Sequence, residues 1–193
     1  MRYSVVFTRL ALLAPLVALL AGLAAQAQDV VEEDRDFGVT PSTELQIENH
    51  ASPTPLEIPR GITLRTVELR RMMQAPVEAQ PLLFDVLGGD GHETLPGAIW
   101  IPGAGRGTSF DDGLQAHLAN FLQFATRGNK AKTMVFYCTG PRCWLSYNAA
   151  LRAMRLGYTD VRWYRGGIQA WGASGGMLVE PRVKWKQPPL LEG

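Results

Sequence analysis

The sequence predicts an α/β protein in which a mainly parallel sheet of about five strands carries helices on both faces. Three observations lead there: short apolar runs alternate with helical patterns, the chain has 193 residues, and 46% are hydrophobic against 19% charged. A length of this order suits one domain. The composition is that of a globular chain, and the alternation requires crossover connections between parallel strands.

The first strand is the short run Ile62 to Leu64, followed by a short helix in Thr66-Val67-Glu68-Leu69-Arg70-Arg71-Met72-Met73, apolar at 69, 72 and 73. Its two methionines read as core filler. Leu82 to Val86 is a compact buried strand. A glycine-rich loop, Gly88 to Thr94, separates it from a further strand, Ala98 to Ile101, bounded by Pro96-Gly97 and Pro102-Gly103. Asp111 opens a helix with one apolar face at Leu114, Leu118, Phe121, Leu122 and Ala125, and Gly128 closes it. Thr133 to Tyr137 is the most strand-like segment of the chain. After Cys138 to Cys143 a second helical pattern runs from about Leu145 to Leu156 and stops at Gly157. Val161 to Tyr164 forms the last strand, Arg165-Gly166-Gly167 a turn, and Ile168 to Trp171 a final helical turn.

The flanks differ in character. Arg2 and Arg9 precede an apolar stretch that Pro15 interrupts and that ends in Ala25-Gln26-Ala27, so residues 1–27 are expected to be a cleaved secretory signal. The alternative, a membrane anchor, would need a longer unbroken run. Residues 28–59, acidic at Glu32, Glu33, Asp34 and Asp36 and proline-spaced at Pro53, Pro55 and Pro59, read as an extension along the domain or partly disordered. The domain itself is expected over residues 60–176, with a proline-bearing tail at 177–193. Export implies a periplasmic location and no stable membrane span after cleavage. Without Arg2 and Arg9 the chain has 17 basic against 18 acidic residues, so nothing favours nucleic acid. The histidines His50, His92 and His117 show no ligand spacing with the two cysteines. Neither a metal nor a cofactor is expected.

The chemistry gathers at Cys138, which ends a strand just ahead of a helix and therefore sits at a carboxyl edge of the sheet, where ligands bind in such folds. Free backbone N–H groups, the positive end of the helix dipole and the adjacent Arg142 would stabilise a thiolate there. The plainer alternative is a small buried hydrophobe at a strand end. Only four residues separate Cys138 from Cys143. A loop curled around the Cys138 sulfur can just bring the Cα atoms to the roughly 4.4–6.8 Å that a disulfide needs. Closing so short a loop gains little chain entropy, so such a bond would be weakly stabilising and easily reduced. Trp144 reads either as packing or as a cover that excludes water, and Asp85 as a structural acceptor near the same edge.

Over residues of roughly 60 to 175 the chain resembles a rhodanese domain. Pro81-Leu-Leu-Phe-Asp85-Val resembles the family's strand ending in Asp-Val, Leu95-Pro-Gly-Ala98-Ile-Trp-Ile-Pro102 its "Ile-Pro-Gly-Ala" segment, and Val135-Phe-Tyr-Cys138 the strand that ends in the catalytic cysteine. Ala149-Ala150, Gly157-Tyr158, Val161, Gly166-Gly167 and Ala170-Trp171 follow in the family's order. The resemblance implies a rhodanese-like fold and a persulfide on Cys138. Thr139, Gly140, Arg142 and Trp144 would then bind the anionic donor or the transferred sulfur. The family loop usually reads Cys-x-x-Gly-x-Arg, whereas here glycine comes one place early and Pro141 lacks an N–H.

Cys143-Trp144-Leu-Ser-Tyr-Asn148-Ala-Ala, the signal segment and the Ser52-Pro53-Thr54-Pro55 lead-in resemble a narrower group, exported rhodanese-like proteins with a Cys-x-x-x-Cys-Trp motif associated with quinoprotein (PQQ-dependent) alcohol oxidation. Three functions stay open at this point. The first is a sulfurtransferase or sulfur carrier with Cys138 as persulfide and Cys143 as resolving thiol, served by a small sulfur-containing anion. The second is a thiol–disulfide protein acting on a periplasmic protein partner such as a quinoprotein. The third is a binding module with a static disulfide.

Overall fold

The computed structural model describes residues 32–89, 91–182 and Trp185, so the signal segment and most of the tail lie outside the described residues. Five strands, β1 (Ile62–Leu64), β2 (Leu82–Asp85), β3 (Ile99–Trp100), β4 (Met134–Tyr137) and β5 (Val161–Tyr164), form one sheet in the order β1-β5-β4-β2-β3. Every pairing is parallel, and β4 is central, with Phe136 opposite Phe84 on one side and Trp163 on the other. Four helices alternate with the strands: α1 (Thr66–Met73), α2 (Gly113–Ala125), α3 (Trp144–Arg155) and α4 (Gly167–Ala173). Period-2 alternation sorts the core. Phe84, Phe136 and Trp163 face α2 and α3, while Leu83, Val135, Tyr137 and Tyr164 face α1 and α4 through Leu69, Ala170 and Trp171. Met72 and Met73 pack at the margin of the second layer, as filler.

Helix starts follow local chemistry. Glu68 accepts from the Arg65 amide at the head of α1 (2.8 Å). The second helix is capped by Asp112 rather than Asp111: its carboxylate accepts from Gln115 N at 2.8 Å and pairs with Arg152 of α3 at 2.8 Å, whereas Asp111 stays exposed. α3 has no side-chain cap, because its N-cap residue is Cys143, whose sulfur is engaged elsewhere. Beyond α4, the tail returns to the far side of the sheet, where Val179 and Thr94 form an antiparallel bridge beside β3. No helix among the described residues is long and apolar enough to cross a membrane.

Residues 32–59 form no strand of the sheet. They run as an irregular strap whose first residues meet the start of α1 through Glu33 and Thr66, while later ones cross the α2/α3 side, contributing Ile58 to the core with Val39 and Leu45 packed against it. The strap explains the burial of α3. From Trp144 to Ala153 every residue is buried, including Ser146, Tyr147 and Asn148.

Candidate active site: a disulfide loop under a strap

Cys138 follows β4 directly, and Cys143 immediately precedes α3. The two are joined by a disulfide with Cα atoms 6.2 Å apart, and Cys138 is 1% and Cys143 6% exposed. The intervening residues curl as the spacing requires, closed by Cys143 N donating to Gly140 O (3.1 Å). The first turn of α4 supports the curl: Ile168 N donates to Cys138 O (3.0 Å) and Gln169 N to Thr139 O (2.9 Å). Gly167 has a φ of +59°, and a Cβ there would collide with the backbone of Cys138 and Thr139, so glycine is required for this approach.

The predicted site residues divide. Thr139 stays at the sulfur, with Oγ1 3.9 Å from Cys138 Sγ. Gly140 packs against Gln169, and the amides of Gly140 and Arg142 have no acceptor among the described residues. Trp144 is buried beneath the strap, its indole donating to Pro53 O (3.1 Å) and its ring edge-on to Tyr147. Arg142 turns outward, half-exposed, toward Glu32 (3.7 Å) and over the Phe37 ring (4.6 Å), so its charge is spent on the strap.

Asp85 is fully buried at the neighbouring strand end, accepting from Leu87 N (2.9 Å) and Thr94 Oγ1 (2.6 Å) and facing His92 Nε2 (3.0 Å). It lies on the layer opposite Cys138 and acts as a structural acceptor. Burial pushes the Tyr137 and Tyr164 phenols far up, so both remain neutral hydroxyls linked to Thr94 and Thr66. Among the described residues no cluster of histidine, cysteine and carboxylate could hold a metal.

Sequence reasoning missed the residues that bind the strap. Arg165, fully buried in the turn after β5, donates to Glu33 O (2.6 Å), Arg35 O (2.9 Å), Glu32 O (3.2 Å) and Thr54 O (3.2 Å). Burial pulls its guanidinium down to about 10. Glu33 accepts from Thr66 N (2.8 Å) and Thr66 Oγ1, and burial holds its carboxyl above the ordinary range. Tyr147 OH and the Asn148 amide pair with the backbone of Ser42 and Gln46. One signal was present: Trp144 to Leu151 contains no charged residue, so that helix has no solvent face.

With this geometry in place, comparison with known proteins identifies the family. The rhodanese-like domain matches residues 66–174. The chain belongs to the rhodanese-like domain family. That membership agrees with the rhodanese-like fold and the sulfurtransferase-like leaning expected from the sequence. Similar solved structures include a thiosulfate sulfurtransferase from Pseudomonas aeruginosa (17% identity, 64% of this chain and 21% of that one, TM-score 0.47). A Bacillus halodurans protein is 22% identical over 66% of this chain and 86% of its own (TM-score 0.47). A human single-domain sulfurtransferase is 25% identical over 58% of this chain and 94% of its own (TM-score 0.37). The chain spans about a fifth of the Pseudomonas protein. No curated protein matches it by sequence.

Proposed function

We propose that this rhodanese-like protein is a sulfur carrier or sulfurtransferase, exported to the periplasm, that works through Cys138 and Cys143. The observation that carries the reading is the bonded pair itself, with one sulfur at the carboxyl end of β4, the other at the start of α3, and Cα atoms 6.2 Å apart. In the reduced protein the Cys138 thiolate attacks the outer sulfur of a small sulfane-sulfur anion. The donor's S–S bond breaks, its remainder leaves with the bonding pair, and Cys138 holds a persulfide. The Cys143 thiolate then attacks Cys138 Sγ and expels hydrosulfide, which closes the disulfide. An external dithiol restores both thiols and is itself oxidised to a disulfide. The unengaged amides of Gly140 and Arg142 suit an anion held at the loop.

The outward turn of Arg142 favours a second reading, in which the pair exchanges disulfides with a protein partner and holds no sulfur anion. Under that reading the resemblance to proteins of PQQ-dependent alcohol oxidation suggests a quinoprotein partner. Intact mass separates the readings. Reduced Cys143→Ser protein, treated with a sulfane-sulfur donor, should gain one sulfur atom on Cys138, while wild type should release sulfide and close its disulfide. No sulfur gain with full disulfide transfer to a dithiol would favour the exchange reading. A wild-type bond with a reduction potential below about −300 mV would make the pair a fixed link. N-terminal sequencing of exported protein should begin near Gln28.

A further inference from the structure

The strap touches the loop on both sides of Cys143. Ahead of it, Pro141 O accepts from Thr54 N (3.0 Å) and Thr54 Oγ1 (2.7 Å). Behind it, Trp144 N donates to His50 O (2.9 Å) and the Trp144 indole to Pro53 O (3.1 Å). The second contact is of a particular kind. Trp144 is the first residue of α3, and the leading N–H groups of a helix have no partner within it. Such groups are what an anion at a helix start would use. Here the His50 carbonyl takes that N–H.

The same strap is clasped from beneath by Arg165, whose guanidinium also meets Thr54 Oγ1 (3.3 Å). Arg165 lies three residues before Ile168, which donates to Cys138 O. One short stretch of chain therefore supports the Cys138 turn through a backbone amide and holds the strap through a side chain. Both sulfurs are buried beside these strap contacts, with Cys138 and Cys143 at 1% and 6% exposure. Thiol–disulfide exchange needs an attacking thiolate in line with the bond, so access limits its rate.

We propose that the segment Glu32–Pro59 is a redox-coupled gate: its His50–Thr54 stretch must lift from Pro141 and Trp144 before the disulfide can be opened, and it rebinds when the bond closes. The inference rests on the pair being a redox couple, by either reading above. In the opening step a dithiol's thiolate attacks one cysteine sulfur, the intramolecular S–S bond breaks to a mixed disulfide, and the reductant's second thiolate resolves it. The protein gains two electrons and two protons, and the reductant leaves as a disulfide. Lifting also frees the Trp144 N–H for an anion or a partner's carbonyl.

The test uses the full chain and dithiothreitol as the probe. Thr54→Val, which removes the hydroxyl between Pro141 and Arg165 but keeps the backbone contact, should speed reduction of the disulfide about fivefold. Trp144→Phe, which loses only the indole bond to Pro53, should do the same to a smaller extent and serves if the first variant fails to fold. Thr126→Val is the control: Thr126 is buried at the end of α2 and bonded to Leu122 O, away from the strap, and its loss should leave the rate unchanged. In wild type, reduction should accelerate amide exchange at residues 50–54. Equal reduction rates in the three variants and wild type, or strap exchange indifferent to the redox state, would overturn the gate. Neither readout involves sulfur transfer, so failure of the sulfur-carrier reading leaves a distinguishable result.

Discussion

Arg152 and Arg165 are both fully buried, yet the environments built around them are opposite. Arg152 on α3 is neutralised: its terminal nitrogens pair with Asp112 (3.0 and 2.8 Å) and donate also to Gln115 Oε1, Ser109 O and Arg106 O, while its Nε finds no acceptor among the described residues. Arg165 donates to neutral oxygens of the strap alone, lies over the Phe37 ring (5.2 Å), and has no carboxylate within ion-pairing distance among the described residues. The first arrangement joins two helices and the loop between β3 and α2, and it has no cheap way to open. In the second, every acceptor is a backbone or hydroxyl oxygen that water can satisfy once the strap leaves. A buried charge can thus fasten a core or latch a removable cover, and the partner's charge decides which.

The two arginines differ most in what their loss should cost. Arg152→Met leaves Asp112 without its cation and should cost about 3 kcal/mol of global stability, read as a lower denaturant midpoint at unchanged slope. Arg165→Met should cost less, about 1–2 kcal/mol, with lost amide protection confined to residues 32–54. A global loss at Arg165 equal to that at Arg152 would make the strap part of the cooperative core and end the contrast.

Acid should act on the two regions in opposite directions, with smaller effects. Burial raises the Asp112 carboxyl, but the Arg152 and Gln115 hydrogen bonds outweigh it, so its folded value lies below the ordinary one. Its contribution is therefore present above the ordinary aspartate range and lost as pH falls through the folded value. Glu33 has the opposite sign: with its folded value raised, chiefly by burial, its contribution is complete below the ordinary glutamate range and is lost as pH rises through the folded value. Mild acid should tighten the strap at Glu33 while stronger acid loosens the Arg152 side. Amide exchange of the strap against pH should flatten in Glu33→Gln, and global stability against pH should flatten in Asp112→Asn. If Glu33→Gln leaves the strap's pH profile unchanged, this carboxyl does not tune the latch.

How far the sequence revealed this arrangement depended on distance along the chain. The five strands and four helices were legible from local apolar runs and periodicity, and Cys138 because strand, loop and helix follow in order. The strap was not. Many of its contacts reach 87 to 133 residues along the chain, from Thr54 to Pro141 and from Glu32 to Arg165, and use backbone carbonyls, which carry no residue signature. For the same reason Arg142 read as a cation for the sulfur: the sequence places it beside Cys143, and only the folded position of Glu32 and Phe37 draws it outward.

The bridge between Thr94 and Val179 bears on how this molecule behaves in a crowd. Parallel sheets end in two rows of unpaired amides and carbonyls, and long flat edges recruit strands from other molecules. Here β3 contributes two residues and β1 three, and the returning tail lies antiparallel beside the β3 side at Thr94. Among the described residues neither margin offers a run long enough to template a neighbour. Copies of the protein can therefore meet at high concentration without polymerising through these two margins.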